Sequence, residues 1–427
     1  MWRFFAVFAA AVILIAGWLA WPIYGFYAHN GAAGLPPWGW TEAPAGEAPA
    51  MQEVASPAYA AAGSAVLAAM AEHRARIGAP AMTASVAIDG EIVWSGAVGW
   101  ADFERRRPAA VTTVMRIGST SKAVTAAALA RLVDRGVIDL DAPITEYMTD
   151  LPNPEWADIT PRMLASHMAG VPHYGENTDS IGKYHTGALR AHFDDMREAL
   201  KIFDSSALLF APGTDFEYSS LGTVLLGAVM RAAEGKPYVE IVHDEVIAPV
   251  GLTSMTISPK TGGRGEFAQF YYREGARYRP WRSVDLSHRL PGGGWAATSA
   301  DLARLGVKWL DEDFISPATR DAFWTPQRLA SGEVNEQNYA IGWRWREYEI
   351  DGVGLARNAN HGGVSRGAQS WLLVYPDYNM ATAFNINAKT DEFRDFGIFY
   401  EEIFREFALA IRDARNGIGA HREARPH

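Results

Sequence analysis

A chain of 427 residues exceeds what one small core fills, and its 48% hydrophobic and 21% charged residues leave apolar material for about two or three structural units. A formal net charge of −10, without any sizeable run of Lys and Arg, argues against a phosphate-tracking groove, so no nucleic-acid partner is expected. The absence of cysteine excludes disulfides, Cys-ligated zinc, iron–sulfur clusters and a thiol nucleophile.

Arg3 is followed by FFAVFAAAVILIAGWLAWPIY, residues 4–24, an uncharged run about long enough to cross a bilayer. Trp18, Trp21, Tyr24 and Tyr27 cluster where such a segment leaves the hydrocarbon, and Arg3 is the sole Lys or Arg before Arg74. Residues 1–27 therefore read as a membrane anchor with its N-terminus inside and the remainder exported to the periplasmic or extracellular side. A cleaved signal peptide, which would leave the protein secreted, is the alternative; the apolar run is longer than a usual signal core, and no clear small-x-small site follows it.

Residues 28–56 are rich in Ala, Pro and Gly and read as a tether, with a folded domain expected over 57–415 and a polar tail over 416–427. A helix is predicted over about 60–77, and Asp89-Gly90 between two β-rich runs predicts a hairpin. The Ala-rich stretch SKAVTAAALARLVDRG is apolar on nearly all sides and closes on Gly136, as a buried helix with a glycine cap does. Residues 140–290 look helical or irregular, with strands again at 339–350, 368–376 and 380–387 and an amphipathic helix at about 393–414. This pattern implies an α+β fold. One antiparallel sheet is built from both ends of the domain, with flanking helices and an inserted helical subdomain at about 119–290.

Three serines compete as nucleophile. Gly363-Val364-Ser365-Arg366-Gly367 matches G-x-S-x-G, but a nucleophile elbow requires a following helix and a later histidine partner. Here a strand, AQSWLLVYP, follows, and the later histidines, His421 and His427, lie in the polar tail. Ser180 and Lys183 form an S-x-x-K with glycine inside it and polar loop on either side, where a lysine stays charged. Ser119 and Lys122 form a second S-x-x-K at the mouth of the buried helix, where residues three apart share a face and burial can keep the lysine neutral enough to take the serine proton. The first helical turn also offers free N–H groups for an oxyanion. Two further elements accompany it: Tyr218-Ser219-Ser220 before a small-residue apolar helix, and His361-Gly362-Gly363 immediately before a strand, where backbone can approach a ligand closely.

S-x-x-K, then a Tyr-led triplet, then H-x-G, in that order, resembles the penicillin-recognising serine hydrolases, and most nearly their class C β-lactamase-like branch with its mitochondrial serine β-lactamase-like group. The resemblance spans about residues 78–387. It implies that Ser119 is acylated, that Lys122 is its base, and that Tyr218 is a second acid/base group acting on the leaving group and the deacylating water. It further implies an oxyanion hole of the Ser119 and Val364 N–H groups, with His361, Gly362, Gly363 and Ser220 lining the substrate site and Gly292 to Gly294 turning beside the cleft. Ser220 stands where a β-lactamase usually has Asn, and His361 where it has Lys, which argues against a true β-lactamase. The implied activity is hydrolysis of a peptide amide, by a peptidase or D,D-carboxypeptidase-like enzyme. A small-ester esterase or a β-lactamase is the alternative on the same site, and a catalytically weak binding or assembly protein is the alternative of another class. His167 and His173 lack matching partners and read as structural rather than as metal ligands, and no cofactor is expected.

Overall fold

The computed structural model describes residues 1–423. Its centre is an antiparallel sheet of Ala50–Val54 (β1), Ala81–Ile88 (β2), Glu91–Asp102 (β3), Arg344–Ile350 (β4), Gly354–Ser365 (β5), Ala368–Tyr375 (β6) and Met380–Ile386 (β7), in spatial order β4-β5-β6-β7-β2-β3-β1. The two ends of the chain meet at its middle, where Met380 pairs with Ile88 and Ile386 with Met82. Asp89 and Gly90, with φ of 50° and 89°, form the two-residue β2–β3 turn that their sequence predicts. The six longest helices among the described residues are Trp2–Ala28 (α1), Ala60–Arg76 (α2), Ser121–Asp134 (α3), Ser220–Glu234 (α4), Ser299–Lys308 (α5) and Tyr400–Glu423 (α6).

Both faces of the sheet are covered, so its central strands are buried along their length rather than alternating apolar and polar. On one side Met380, Phe384 and Ile386 of β7 join Val66 and Met70 of α2 and Phe404 and Phe407 of α6 in one apolar cluster. On the other, Ala381 and Ala383 face the helical core. Small residues there let α5 lie close: a Cβ on Gly306 would stand 2.8 Å from the Ala381 methyl. α3, buried from Ser121 to Ala130, and α4 form the centre of that helical layer. α3 stops where Gly136 turns to φ 69°, with the Gly136 and Val137 N–H groups bonded back to Val133 and Leu132.

β5 is not among the expected strands, and it contains His361-Gly362-Gly363, expected just ahead of one. Two boundaries also differ from the sequence reading. Ala50–Val54, expected in the tether, is β1, and it covers the otherwise open edge of β3; Thr41–Glu42 likewise pairs with the strand Arg277–Pro280. The tail expected from 416 starts as helix, because Phe407 and Ile411 anchor α6 and extending a formed helix costs little; residues 424–427 lie outside the described residues. α1 is long and apolar enough to cross a membrane. It is exposed through Trp21, whereas Pro22, Gly25 and Ala28 are buried against the folded domain.

Candidate active site

Ser119 lies in the short 3-10 turn Gly118–Thr120 that runs straight into α3. Gly118 has φ 51°, and a Cβ there would stand 2.6 Å from the Val364 carbonyl carbon, so both conformation and space require glycine. One helical turn on, Lys122 is 2% exposed while Ser119 remains partly accessible. The Lys122 Nζ lies 3.0 Å from Ser220 Oγ, 3.0 Å from the Gly292 carbonyl oxygen and 3.5 Å from Ser119 Oγ. A neutral amine has two hydrogens and one lone pair: the two short contacts accept the hydrogens, which leaves the lone pair for the serine hydroxyl. Burial favours that neutral form by lowering the Lys122 pKa; the neighbouring Tyr218 phenol opposes the shift, and the charges on Arg344 and then Arg289 reinforce it.

Tyr218 is half-buried, with Lys122 Nζ 4.7 Å from its ring centroid. Burial pushes its phenol up, but the charges on Lys122 and then Arg344 outweigh that, so its pKa falls below the usual tyrosine value. The segment carrying it is pinned by two histidines. The Ser219 N–H donates to His167 Nδ1 at 3.3 Å and the Ser220 N–H to His173 Nδ1 at 3.0 Å, while the Ser219 hydroxyl caps α4 by accepting from the Gly222 N–H. Both rings are held neutral, His167 well below its ordinary value and His173 down to about 3, each chiefly by burial and then by the charge on Lys122. His167 also carries a left-handed backbone, φ 64°, beside Tyr218, whose ring centroid is 4.3 Å away.

The third wall is β5. A Cβ on Gly363 would stand 2.0 Å from the Ile117 carbonyl oxygen and 2.8 Å from the Ser119 nitrogen, so the glycine keeps open the space before the Ser119 N–H. The Val364 side chain points to solvent, 42% exposed. Three residues expected in the substrate site do other work. Ser220 is buried and turns its hydroxyl to Lys122, because serine in place of the longer Asn ends at the lysine. Gly362 is on the opposite face of the strand from Gly363, where a Cβ would meet the Phe393 ring at 2.5 Å. His361 is fully buried with both nitrogens engaged, Nδ1–H donating to the Gly362 carbonyl at 2.8 Å and Nε2 accepting from the Tyr339 hydroxyl at 2.8 Å. Burial, then the charges on Arg344 and Lys122, hold it well below its ordinary pKa. It is therefore a neutral brace rather than a substrate ligand.

Tyr339 and Arg344 carry no motif that sequence reasoning could have used. Arg344 stacks over Tyr218 and Tyr339, its guanidinium carbon 5.3 and 4.9 Å from the ring centroids, and is held by Gln337 Oε1 at 2.9 Å. Ser365 is the last residue of β5, paired with Ala368 across a hairpin, with no helix behind it. Ser180 does open a helix, Ser180–Ala188, contrary to the loop expected there, because Asp179 caps it; Ser180 and Lys183 are nevertheless both exposed.

A buried lysine aimed at a helix-mouth serine, a tyrosine beside both and a glycine-lined strand opposite invite comparison with known hydrolases. The β-lactamase family model matches residues 66–402. The chain belongs to the β-lactamase family. This β-lactamase-family chain is a serine hydrolase, similar to the human mitochondrial serine β-lactamase-like protein LACTB, 29% identical over 394 residues and covering 71% of each chain. It is 24% identical over 327 residues to penicillin-binding protein 4* of Bacillus subtilis (strain 168), covering 72% of this chain and 68% of that protein. In fold it superposes on the D-amino acid amidase from Ochrobactrum anthropi SV3 with a TM-score of 0.66 at 20% identity, over 83% of this chain and 100% of that one.

Proposed function

We propose that this serine hydrolase is a membrane-tethered enzyme on the exported face that cleaves a peptide amide through an acyl-enzyme at Ser119. The observation that carries the chemistry is the Lys122 amine, buried, bonded to Ser220 Oγ and Gly292 O, and left with one open direction toward Ser119. Lys122 takes the Ser119 proton as Oγ attacks the substrate carbonyl carbon, and the carbonyl oxygen becomes an oxyanion facing the N–H groups of Ser119 and Val364. The C–N bond then breaks. Tyr218 gives its proton to the departing amine and regains one from the Lys122 ammonium, which a phenol with a lowered pKa between the two groups is suited to do. Water attacks the Ser119 ester, losing a proton to the same pair, and the acid leaves with Ser119 restored. The proton donor favours an amide, whose amine must leave protonated, over an activated ester, whose leaving group departs without the Tyr218 proton.

Uncleaved anchoring is supported by the burial of Pro22, Gly25 and Ala28 in the catalytic body, contacts that a cleaved signal would forfeit, and the exported side by Arg3 before the span. The test is labelling of the purified full chain with a fluorophosphonate and with a tagged penicillin, followed by peptide mass spectrometry. The adduct is expected on Ser119 and is expected to vanish in Ser119→Ala. Folded protein with Ser119 unlabelled, or full turnover by Ser119→Ala, would sink the mechanism.

A further inference from the structure

α1 ends beside the catalytic cleft. The hairpin after β5 places Arg366 two residues beyond Val364, with its guanidinium carbon 4.8 Å from the Phe26 ring centroid of α1. Arg366 lines a cavity of about 530 Å³ with Ile23, Phe26 and Tyr27 of α1 and with Tyr174 and Tyr184 of the catalytic body. Tyr174 leads back to the reacting groups, because its neighbour His173 holds the Ser220 N–H and its ring carries the Arg289 guanidinium at 4.4 Å. Arg289 in turn precedes the turn Leu290–Gly293, whose Gly292 carbonyl holds Lys122.

Two cations in this corridor lack a counter-charge in a chain of net charge −10. Arg289 is 8% exposed with Nη2 unpartnered, the Nε of Arg366 is unpartnered too, and neither forms an ion pair with a carboxylate among the described residues. Burial, and then the charge on Arg289, push Arg366 down to about 9, which leaves it protonated at neutral pH. Buried charge without a partner is costly, and an anion arriving with the ligand would offset the cost. The α1 side of the cavity, Ile23, Phe26 and Tyr27, is apolar and aromatic, while the facing side carries Ser180, Thr186 and a third cation, the exposed Lys183. α1 is exposed through Trp21; beyond it Pro22, Gly25 and Ala28 are buried while Tyr24 and Tyr27 stay exposed, so a membrane spanned by α1 would have its surface near the cavity. At the same level Ile181 is 71% exposed, and Arg190 stacks over Trp18 at 5.5 Å, an arrangement suited to headgroups.

We propose that the substrate of the Ser119 site is an anionic amphiphile taken from the membrane surface, its acidic group held by Arg289 and Arg366 and its apolar chain lying against Ile23, Phe26 and Tyr27. This rests on the acyl-enzyme reading of Ser119. Full-chain protein in phosphatidylcholine vesicles would be given three chromogenic reporters of acyl transfer: 4-nitrophenyl decanoate, 4-nitrophenyl hydrogen decanedioate and 4-nitrophenyl hydrogen adipate. The long anionic ester is expected to exceed both others in kcat/KM by about tenfold or more, the scale of a charge-assisted hydrogen bond. Arg289→Gln and Arg366→Gln should collapse the preference for charge, Arg366→Lys should keep most of it, and Phe26→Ser should weaken the preference for chain length. Equal rates on the two ten-carbon esters, equal rates on the two anionic ones (a soluble anion rather than an amphiphile), or undiminished charge preference in both Gln variants would each overturn the proposal. Fluorophosphonate labelling of Ser119 in every variant separates the two readings: labelling without preference defeats this inference alone, whereas no labelling of the wild type defeats the hydrolase mechanism beneath it.

Discussion

Gly363→Ala perturbs the site by a single methyl group. Its Cβ would stand 2.0 Å from the Ile117 oxygen, where ordinary contact needs at least about 3.4 Å, and 2.8 Å from the Ser119 nitrogen. Both neighbours are backbone, so β5 or the nucleophile turn must retreat by more than about an ångström. A shift of that size pulls the Val364 N–H away from the carbonyl oxygen it faces, and the methyl itself crowds the Ser119 N–H. Misplacement by about 1 Å costs roughly 10²-fold, and loss of one oxyanion donor roughly 10²- to 10³-fold, so kcat/KM should fall by about 10² to 10³. The second-order rate of fluorophosphonate labelling at Ser119 reads this directly, alongside ester turnover and a thermal melt to confirm folding. Val364→Ala is the matched control: its side chain is exposed and its N–H is retained, so labelling should stay within about twofold of wild type. Gly363→Ala labelling at the wild-type rate would refute the assignment of this strand to the oxyanion wall.

In the proposed mechanism acylation requires neutral Lys122, so kcat/KM should rise with pH as its ammonium loses a proton. Arg344 is one of the cations that lower that pKa; Arg344→Gln should therefore move the acid limb to higher pH, and an unmoved limb would remove Arg344 from the electrostatics of the site. Tyr339→Phe strips the buried His361 Nε2 of its donor, which should cost about 1–3 kcal/mol in urea denaturation, with the loss absent if His361 is first replaced by Phe. Ser365→Ala should leave turnover within about twofold, since its hydroxyl has no part in the chemistry, and a loss of a hundredfold would revive the elbow reading.

Much of this protein was legible because its signals are local. The Asp89-Gly90 turn, the Gly136 stop after an Ala-rich helix and the three-residue step from Ser119 to Lys122 each depend on neighbours within a few positions, where backbone conformation and helical geometry leave little choice. The same local logic separated Ser119 from Ser365, since a strand rather than a helix follows the latter. What a residue does with its side chain was decided by partners far away in the chain. Ser220 faces Lys122, 98 positions back, rather than the substrate, and His361 is neutralised by burial and held by Tyr339. Arg344 enters the site because β4 pairs with β5, a register that no spacing encodes. The packing of α1 into the domain is likewise a tertiary outcome: hydropathy marks a span, but only the folded body provides the surface that buries Pro22, Gly25 and Ala28.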